Sequence, residues 1–204
     1  LKEVVHKYKE IYAKETGEAF PSDPYLQLQR SIEAVFRSWM GRRAVDYRRE
    51  FKITPEMADG TAVNVVTMIF GNIGSDSATG VIFTRDPATG EKKLYGDYLT
   101  TAQGEDVVAG IRTPKPIQEL ESEMREAYEI LLKISDKLER HYKEPQDLEF
   151  TVERGTLYML QTRNAKMNTA ALVKTSVDMA DEGILTKEEA MLRIPPETLE
   201  QLLH

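Results

Sequence analysis

Apolar residues at Val4, Val5, Tyr8, Ile11 and Tyr12 recur at helical spacing until Gly17, which predicts a first helix closing at that glycine. Ser22, Asp23 and Pro24 offer a cap and a first-turn proline for a second helix, whose stripe of Leu28, Ile32, Val35, Phe36 and Trp39 ends at Gly41. A short helix over residues 44–51 follows, and 55–60 reads as a linker. Beyond it, residues 61–70 are rich in Val, Ile and Thr and predict a buried strand. Residues 71–80 form a glycine and hydroxyl loop, and strands over 81–84 and 92–98 flank the turn sequence Asp86-Pro-Ala-Thr-Gly90. Residues 103–110 read as loop with a short turn. One long helix from Ile117 to about His141 is marked by Leu120, Met124, Tyr128, Leu131 and Leu138. Strands over 146–152 and 156–163 come next, then a helix over 169–182 and a second helix opened by the capping box of Thr186 and Glu189. Pro195-Pro196 stops that helix, and 199–203 start a last turn. The expected fold is α+β, an antiparallel sheet backed by the 117–141 helix. The expected domains are a helical segment over 1–55, a carboxylate-bearing subdomain over 56–165 and a helical linker over 166–204.

The hairpin over 146–163 carries the most chemistry, because both arms alternate polar and apolar residues. A three-residue loop of Glu153, Arg154 and Gly155 pairs Asp147 with Gln161 and makes Glu149 a diagonal neighbour. It also collects Leu148, Phe150, Val152, Tyr158 and Leu160 on the other face. A two-residue loop splits that apolar set, so the pattern selects the odd loop. Asp147, Glu149, Gln161 and Arg163 then share one side. Two carboxylates and an amide oxygen form a hard donor set suited to Mg²⁺, and Arg163 beside them suits a phosphoryl group in transfer. The same alternation also fits a plain solvent-facing hairpin. Thr79 and Gly80 in the glycine loop are candidates for phosphate contact, the alternative being an ordinary turn. Glu105 is a candidate for a ribose contact or for capping the turn that follows it.

Composition narrows the possibilities. The 204 residues, 41% hydrophobic and 30% charged, fit a globular protein with one core and helical attachments. No apolar run approaches the ~20 residues of a membrane span, so no membrane partner is expected. A net charge of −7 argues against a nucleic-acid groove. Arg42, Arg43, Arg48 and Arg49 read as a solvated helix face or as a contact for a small polyphosphate. The absence of cysteine excludes disulfides and thiolate chemistry and fits a reducing cytoplasm. His6, His141 and His204 read as surface residues. Leu1 at the start, within a charged helical pattern, reads as a beginning inside a longer protein.

Several long runs in order resemble the nucleotide-binding domain of the pyruvate, phosphate dikinase family. They are Phe-Arg-Ser-Trp39, Gly60-Thr-Ala-Val-Asn64, Thr79-Gly80 with Phe83-Thr-Arg-Asp-Pro-Ala-Thr-Gly-Glu91, Tyr95-Gly-Asp-Tyr-Leu99, Ala102-Gln-Gly-Glu-Asp-Val-Val-Ala-Gly-Ile-Arg-Thr-Pro114, Gln146-Asp-Leu-Glu-Phe150, Leu160-Gln-Thr-Arg163 and Glu200-Gln-Leu-Leu-His204. The resemblance implies an ATP-grasp fold and transfer of the β-phosphoryl of ATP to a histidine on a swivelling domain, on the way to phosphoenolpyruvate. It implies Glu149 and Gln161 as Mg²⁺ ligands, Asp147 as their support, Arg163 as a phosphate ligand, Thr79 and Gly80 as a phosphate-covering loop, and Glu105 as a nucleotide contact. It also implies that the N-terminal ATP-grasp subdomain and the phosphohistidine domain of a longer chain are partners, in a homodimer when full length; this chain alone is expected to be monomeric and inactive. After Arg163 the family runs x-Gly-Lys-Arg-Thr, whereas this chain has Asn164-Ala-Lys-Met-Asn168, which weakens the case for a phosphate role there. Pyruvate, water dikinase or a related phosphotransferase is the nearest alternative, and a non-catalytic nucleotide-binding module the more distant one.

Overall fold

A computed structural model describes residues 1–110 and 112–200, and it divides into two compact units, Leu1–Thr67 and Met68–His204. The first unit holds α1 (Lys2–Thr16), α2 (Pro24–Ser38) and α3 (Arg42–Glu50). Gly17 takes the left-handed conformation after α1, where a side chain would be strained. Asp23 caps α2 by accepting from the Tyr25 N–H, with Pro24 in the first turn. In the four-arginine segment, Arg42 and Arg49 pair with Asp46 and Arg48 lies over the Trp39 ring, so three of its cations are satisfied within the helices.

The second unit is built on a sheet in the order β3-β2-β1-β4-β5. Its strands are β1 (Ala78–Phe83), β2 (Tyr95–Thr100), β3 (Lys115–Pro116), β4 (Gln146–Glu153) and β5 (Thr156–Asn164), and neighbouring strands run antiparallel. The remaining elements are α4 (Gly104–Val108), α5 (Leu120–Glu123), α6 (Arg125–Tyr142), α7 (Thr169–Asp181), α8 (Lys187–Leu192) and α9 (Pro196–Glu200). Ala78, Ile82, Tyr98, Leu148, Phe150 and Val152 on one sheet face pack with Ile117, Leu120, Ala127 and Leu131 in one buried core. The C-terminal helices belong to the same compact unit as the sheet, with Asn168 capping α7 and Thr186 and Glu189 forming their capping box at α8. The last-turn expectation over 199–203 falls largely outside the described residues.

Four expectations are corrected. Residues 61–70 form no strand, and Val65, Val66 and Met68 are exposed. Strand propensity is expressed only where a neighbouring strand supplies a ladder, and residues 61–70 pair with none of the strands. The long helix is broken at Met124, whose φ of −143° leaves the helical region; the turn over Ile117–Glu119 and the short α5 thereby sink Ile117 and Leu120 into the core ahead of α6. Tyr98, buried in β2, donates to the Glu123 carboxylate at 2.7 Å and fastens α5 to the sheet. The third expected strand, over 92–98, begins at Tyr95, because the preceding residues are tied into a turn by Gly90 N–H to Asp86 O and Asp86 N–H to Glu91 O. Finally, residues 103–108 are not a loop but a short helix, closed by the capping box of Gln103 and Asp106.

Candidate functional site

Register decides what the β4–β5 hairpin can do. The loop has two residues, Arg154 and Gly155, both at positive φ (50° and 78°), the conformation favoured by the twist of paired strands. An arginine in the left-handed region carries strain, and this turn is held from outside: the Arg154 N–H donates to Ser77 Oγ at 3.1 Å and the Gly155 N–H to the Asp76 carbonyl at 2.8 Å. Near the tip, Val152 faces Leu157 and Phe150 faces Met159, so Leu157 and Met159, rather than Tyr158 and Leu160, join the core. A β-bulge between Glu149 and Phe150 then absorbs Leu160, which is exposed, and restores the polar pairing. Glu149 lies directly opposite Gln161, and Asp147 opposite Arg163. The expected three-residue loop and the Asp147–Gln161 pairing are therefore corrected. The bulge does the work that the odd loop was expected to do.

Asp147, Glu149, Gln161 and Arg163 share the sheet face opposite the core, beside Val81 and Phe83 of β1. They differ in exposure. Asp147 is 7% exposed, whereas Gln161 and Arg163 are open to solvent and Glu149 is half-buried. Arg163 Nε donates to Asp147 Oδ2 at 2.6 Å, and this hydrogen bond, with the Asp147 and Glu149 charges, raises the Arg163 pKa above its usual value. Asp147 Oδ1 is buried without a hydrogen-bond partner. Such an acceptor is costly in a dry interior and keeps capacity for a donor or a cation.

Among the described residues, no three His, Cys, Asp or Glu side chains converge to hold a metal ion by themselves. The face does fit a different arrangement, in which Glu149 and the Gln161 amide oxygen each give one hard ligand to Mg²⁺ and phosphate oxygens and water complete the shell. The unpartnered Asp147 oxygen supports that fit.

Thr79 and Gly80 are not brought to this group as loop residues. Both lie in β1, paired on both sides, and Thr79 is 4% exposed with its hydroxyl on the Phe150 carbonyl at 3.1 Å. A Cβ at Gly80 would stand 2.6 Å from the Phe150 ring, so core packing by itself requires the glycine. We expect Gly80→Ala to destabilise the unit by about 1–3 kcal/mol through overpacking, measured as a lowered urea midpoint. Glu105 sits exposed in the first turn of α4, an acidic residue at a helix N-terminus.

Asn164 and Lys166 lie in the stretch whose departure from the family run weakened the case for a phosphate role. With Phe83, Asp147 and Arg163 they line a hollow of ≈ 290 Å³ at the end of the open face. The available signal was spacing, since Lys166 follows Arg163 by three residues just where β5 ends.

Comparison with known proteins adds a separate finding. Residues 7–127 and 115–183 match the family model described as pyruvate phosphate dikinase, AMP/ATP-binding domain. The whole chain is 59% identical to pyruvate, phosphate dikinase of Entamoeba histolytica and covers 23% of it. It is 52% identical to the Clostridium symbiosum protein of that name, again over the whole chain and 23% of the relative. A chloroplastic pyruvate, phosphate dikinase 1 of Oryza sativa subsp. japonica is likewise 52% identical over the whole chain and 21% of its own length. The chain thus spans about a quarter of the length of these relatives.

Proposed function

Because the chain belongs to the pyruvate phosphate dikinase AMP/ATP-binding domain family, we propose that its open sheet face is the ATP-facing wall of a pyruvate, phosphate dikinase. The observation that carries this reading is the pairing of Glu149 with Gln161 beside Asp147 with Arg163 on one face. In the full-length protein the reaction is ATP, phosphate and pyruvate going to AMP, pyrophosphate and phosphoenolpyruvate, with a histidine on a central domain as the intermediate acceptor. Pyruvate, water dikinase is disfavoured by the names of the relatives. A non-catalytic module is disfavoured because the four polar groups stand together.

Glu149 and Gln161 would hold Mg²⁺, which when bound offsets negative charge on the phosphate chain. Asp147 keeps Arg163 oriented through its 2.6 Å bond, and Arg163 presents its guanidinium to the transferring phosphoryl group. Phosphoryl transfer is governed by positioning and electrostatics, so a stiff strand pair is an appropriate carrier. Thr79 and Gly80, packed in β1, and Glu105 remain proposed nucleotide contacts.

The proposed partners are the N-terminal ATP-grasp subdomain and the phosphohistidine domain of the full-length protein, which is proposed to be a homodimer. Among the described residues no helix is long and apolar enough to cross a membrane. We place the protein in the cytoplasm, on the lack of cysteine. Arg163→Met in the full-length protein should weaken ATP binding about tenfold or more while leaving AMP binding unchanged, since a charge-assisted bond to phosphate is lost. Equal ATP constants for the two proteins in calorimetry would reject Arg163 as a phosphate ligand.

A further inference from the structure

We propose that Gln146, buried on the core side of the sheet, is a positioning residue that locks the register of β5 beneath Gln161 and Arg163. The inference rests on the reading of the open face as the ATP-facing wall and adds to it a residue that touches no ligand. Gln146 opens β4, is fully buried, and lies on the same face as Leu148 of the core. Both ends of its amide are engaged: Oε1 accepts from Thr162 Oγ1 at 2.8 Å, and Nε2 donates to Asn164 Oδ1 at 3.0 Å and to the Glu144 carbonyl at 3.0 Å. Thr162 and Asn164 are the residues on either side of Arg163. Asp147, next to Gln146, holds Arg163 itself on the open face. Two consecutive residues of β4 therefore grip three consecutive residues of β5 from opposite faces of the sheet.

The site end of β5 depends on such a grip. Among the described residues β5 ends the sheet order and pairs only with β4. Asp76 and Ser77 hold the turn at the tip of the hairpin, but the bulge between Glu149 and Phe150 separates that end from the four pairs that carry the site. A slip of one residue beyond the bulge would carry Gln161 and Arg163 to the core face. Backbone ladder bonds repeat along a strand and permit that slip; the Gln146 bonds do not, because they single out the side chains of Thr162 and Asn164.

The lock is itself anchored away from the hairpin. The Gln146 N–H donates to Thr84 Oγ1 at 2.9 Å, the Gln146 carbonyl accepts from the Thr84 N–H at 2.9 Å, and Thr84 Oγ1 donates to the buried Glu139 carboxylate at 2.6 Å. A buried amide with its bonds made adds little stability over a packed apolar residue, yet it specifies a single arrangement. Its contribution is therefore to the alignment of Arg163 and Gln161, where a displacement of about 1 Å can slow transfer on the order of 10²-fold.

The test uses the full-length protein with Gln146→Met, Thr162→Val and Thr162→Ser, and with Tyr98→Phe, which removes a different hydrogen bond of a buried side chain, as the control. Rapid quench at saturating ATP reads phosphorylation of the carrier histidine, calorimetry reads AMP binding, and amide exchange reads β5. Gln146→Met should slow phosphorylation by about tenfold or more with the AMP constant unchanged, Thr162→Val should slow it by about threefold or more, and Thr162→Ser and Tyr98→Phe should keep the parent rate. Exchange over 161–164 should quicken by about tenfold or more in Gln146→Met, while exchange over 156–159, on the tip side of the bulge, stays as in the parent. A Gln146→Met rate within about twofold of the parent overturns the proposal, as does a Thr162→Ser rate no better than that of Thr162→Val, or equal quickening on both sides of the bulge. Should Gln146→Met fail to fold, the two Thr162 variants and exchange over 161–164 in Thr162→Val decide in the same way. Full activity in Glu149→Ala would instead refute the wall reading, whereas an inactive Glu149→Ala beside Gln146→Met at the parent rate would refute only the lock.

Discussion

Glu149→Ala in the full-length protein should abolish ATP-dependent phosphorylation of the carrier histidine, lowering its rate by about 10²–10³-fold or more, while exchange between pyruvate and phosphoenolpyruvate continues. Transfer between phosphate oxygens relies on charge placed in advance, and Glu149 is the half-buried carboxylate opposite the Gln161 amide at the centre of the wall. Gln161→Ala should have the same sign and a smaller effect, because a neutral amide ligand is lost in place of a charged one. The residue lies on the solvent-side face, so the fold should survive, and an unchanged thermal midpoint would separate chemistry from unfolding. Rapid-quench measurement with labelled ATP reads the rate. Parent-like rates in Glu149→Ala would eliminate the metal assignment.

The largest stability loss should come from Arg85→Met, at about 3–5 kcal/mol. Arg85 is fully buried at the end of β1, where its guanidinium holds Glu139 of α6 through Nε at 3.0 Å and Nη2 at 2.9 Å, and Glu182 after α7 through Nη1 at 3.0 Å and Nη2 at 2.9 Å. Burial works against its charge, yet the two carboxylates prevail and raise its pKa above the usual value. Thr84 Oγ1 adds a 2.6 Å bond to Glu139. Removing the guanidinium leaves Glu139, 2% exposed, as a buried carboxylate without a cation. Lysine should not rescue it, since one ammonium cannot bond both carboxylates in a fork.

The same network bears on the site. Thr84 exchanges bonds with Gln146, the residue before Asp147, so loosening Arg85 should also weaken ATP binding. Urea unfolding of the variant reads the loss, and a midpoint equal to that of the parent would show that the network contributes nothing. Glu182 adds a pH signature. Burial raises its pKa, but Arg85 and Lys92 outweigh that and hold it below the ordinary 4.5. A depressed folded value contributes stability that is present above 4.5 and is lost as pH falls through the folded value. The parent's acid sensitivity in that range should be reduced in Glu182→Gln.

The hairpin shows how far pattern alone reaches. Alternation over 146–163 placed both arms and the shared face of the four polar residues before any tertiary contact was considered. It could not locate the bulge. Whether a loop has two residues or three depends on partners outside the hairpin, here Asp76 and Ser77, which lie over 70 residues away in sequence. Once they hold Arg154 and Gly155 in a tight turn, Leu160 has to be extruded for the polar rows to meet.

A similar limit explains residues 61–70 and Gly80. Val, Ile and Thr report a preference for a pleated, half-buried surface, but a strand exists only where a neighbour offers unpaired amides. Glycine in a loop-like run reports a missing side chain and says nothing of whether an anion or the Phe150 ring fills the space.

The order of polar and apolar residues by itself determined the α+β class, most helix ends, including the caps at Asp23 and Thr186, and the face of the four site residues. These follow from local geometry, from the period of a strand and the unpaired amides of a helix start. Only the tertiary structure decided the register, the break at Met124, the burial of Arg85 and the hollow shared by Arg163 and Lys166. Each of these depends on segments distant in sequence meeting at one place, and hydrogen bonding and burial are settled there and not along the chain.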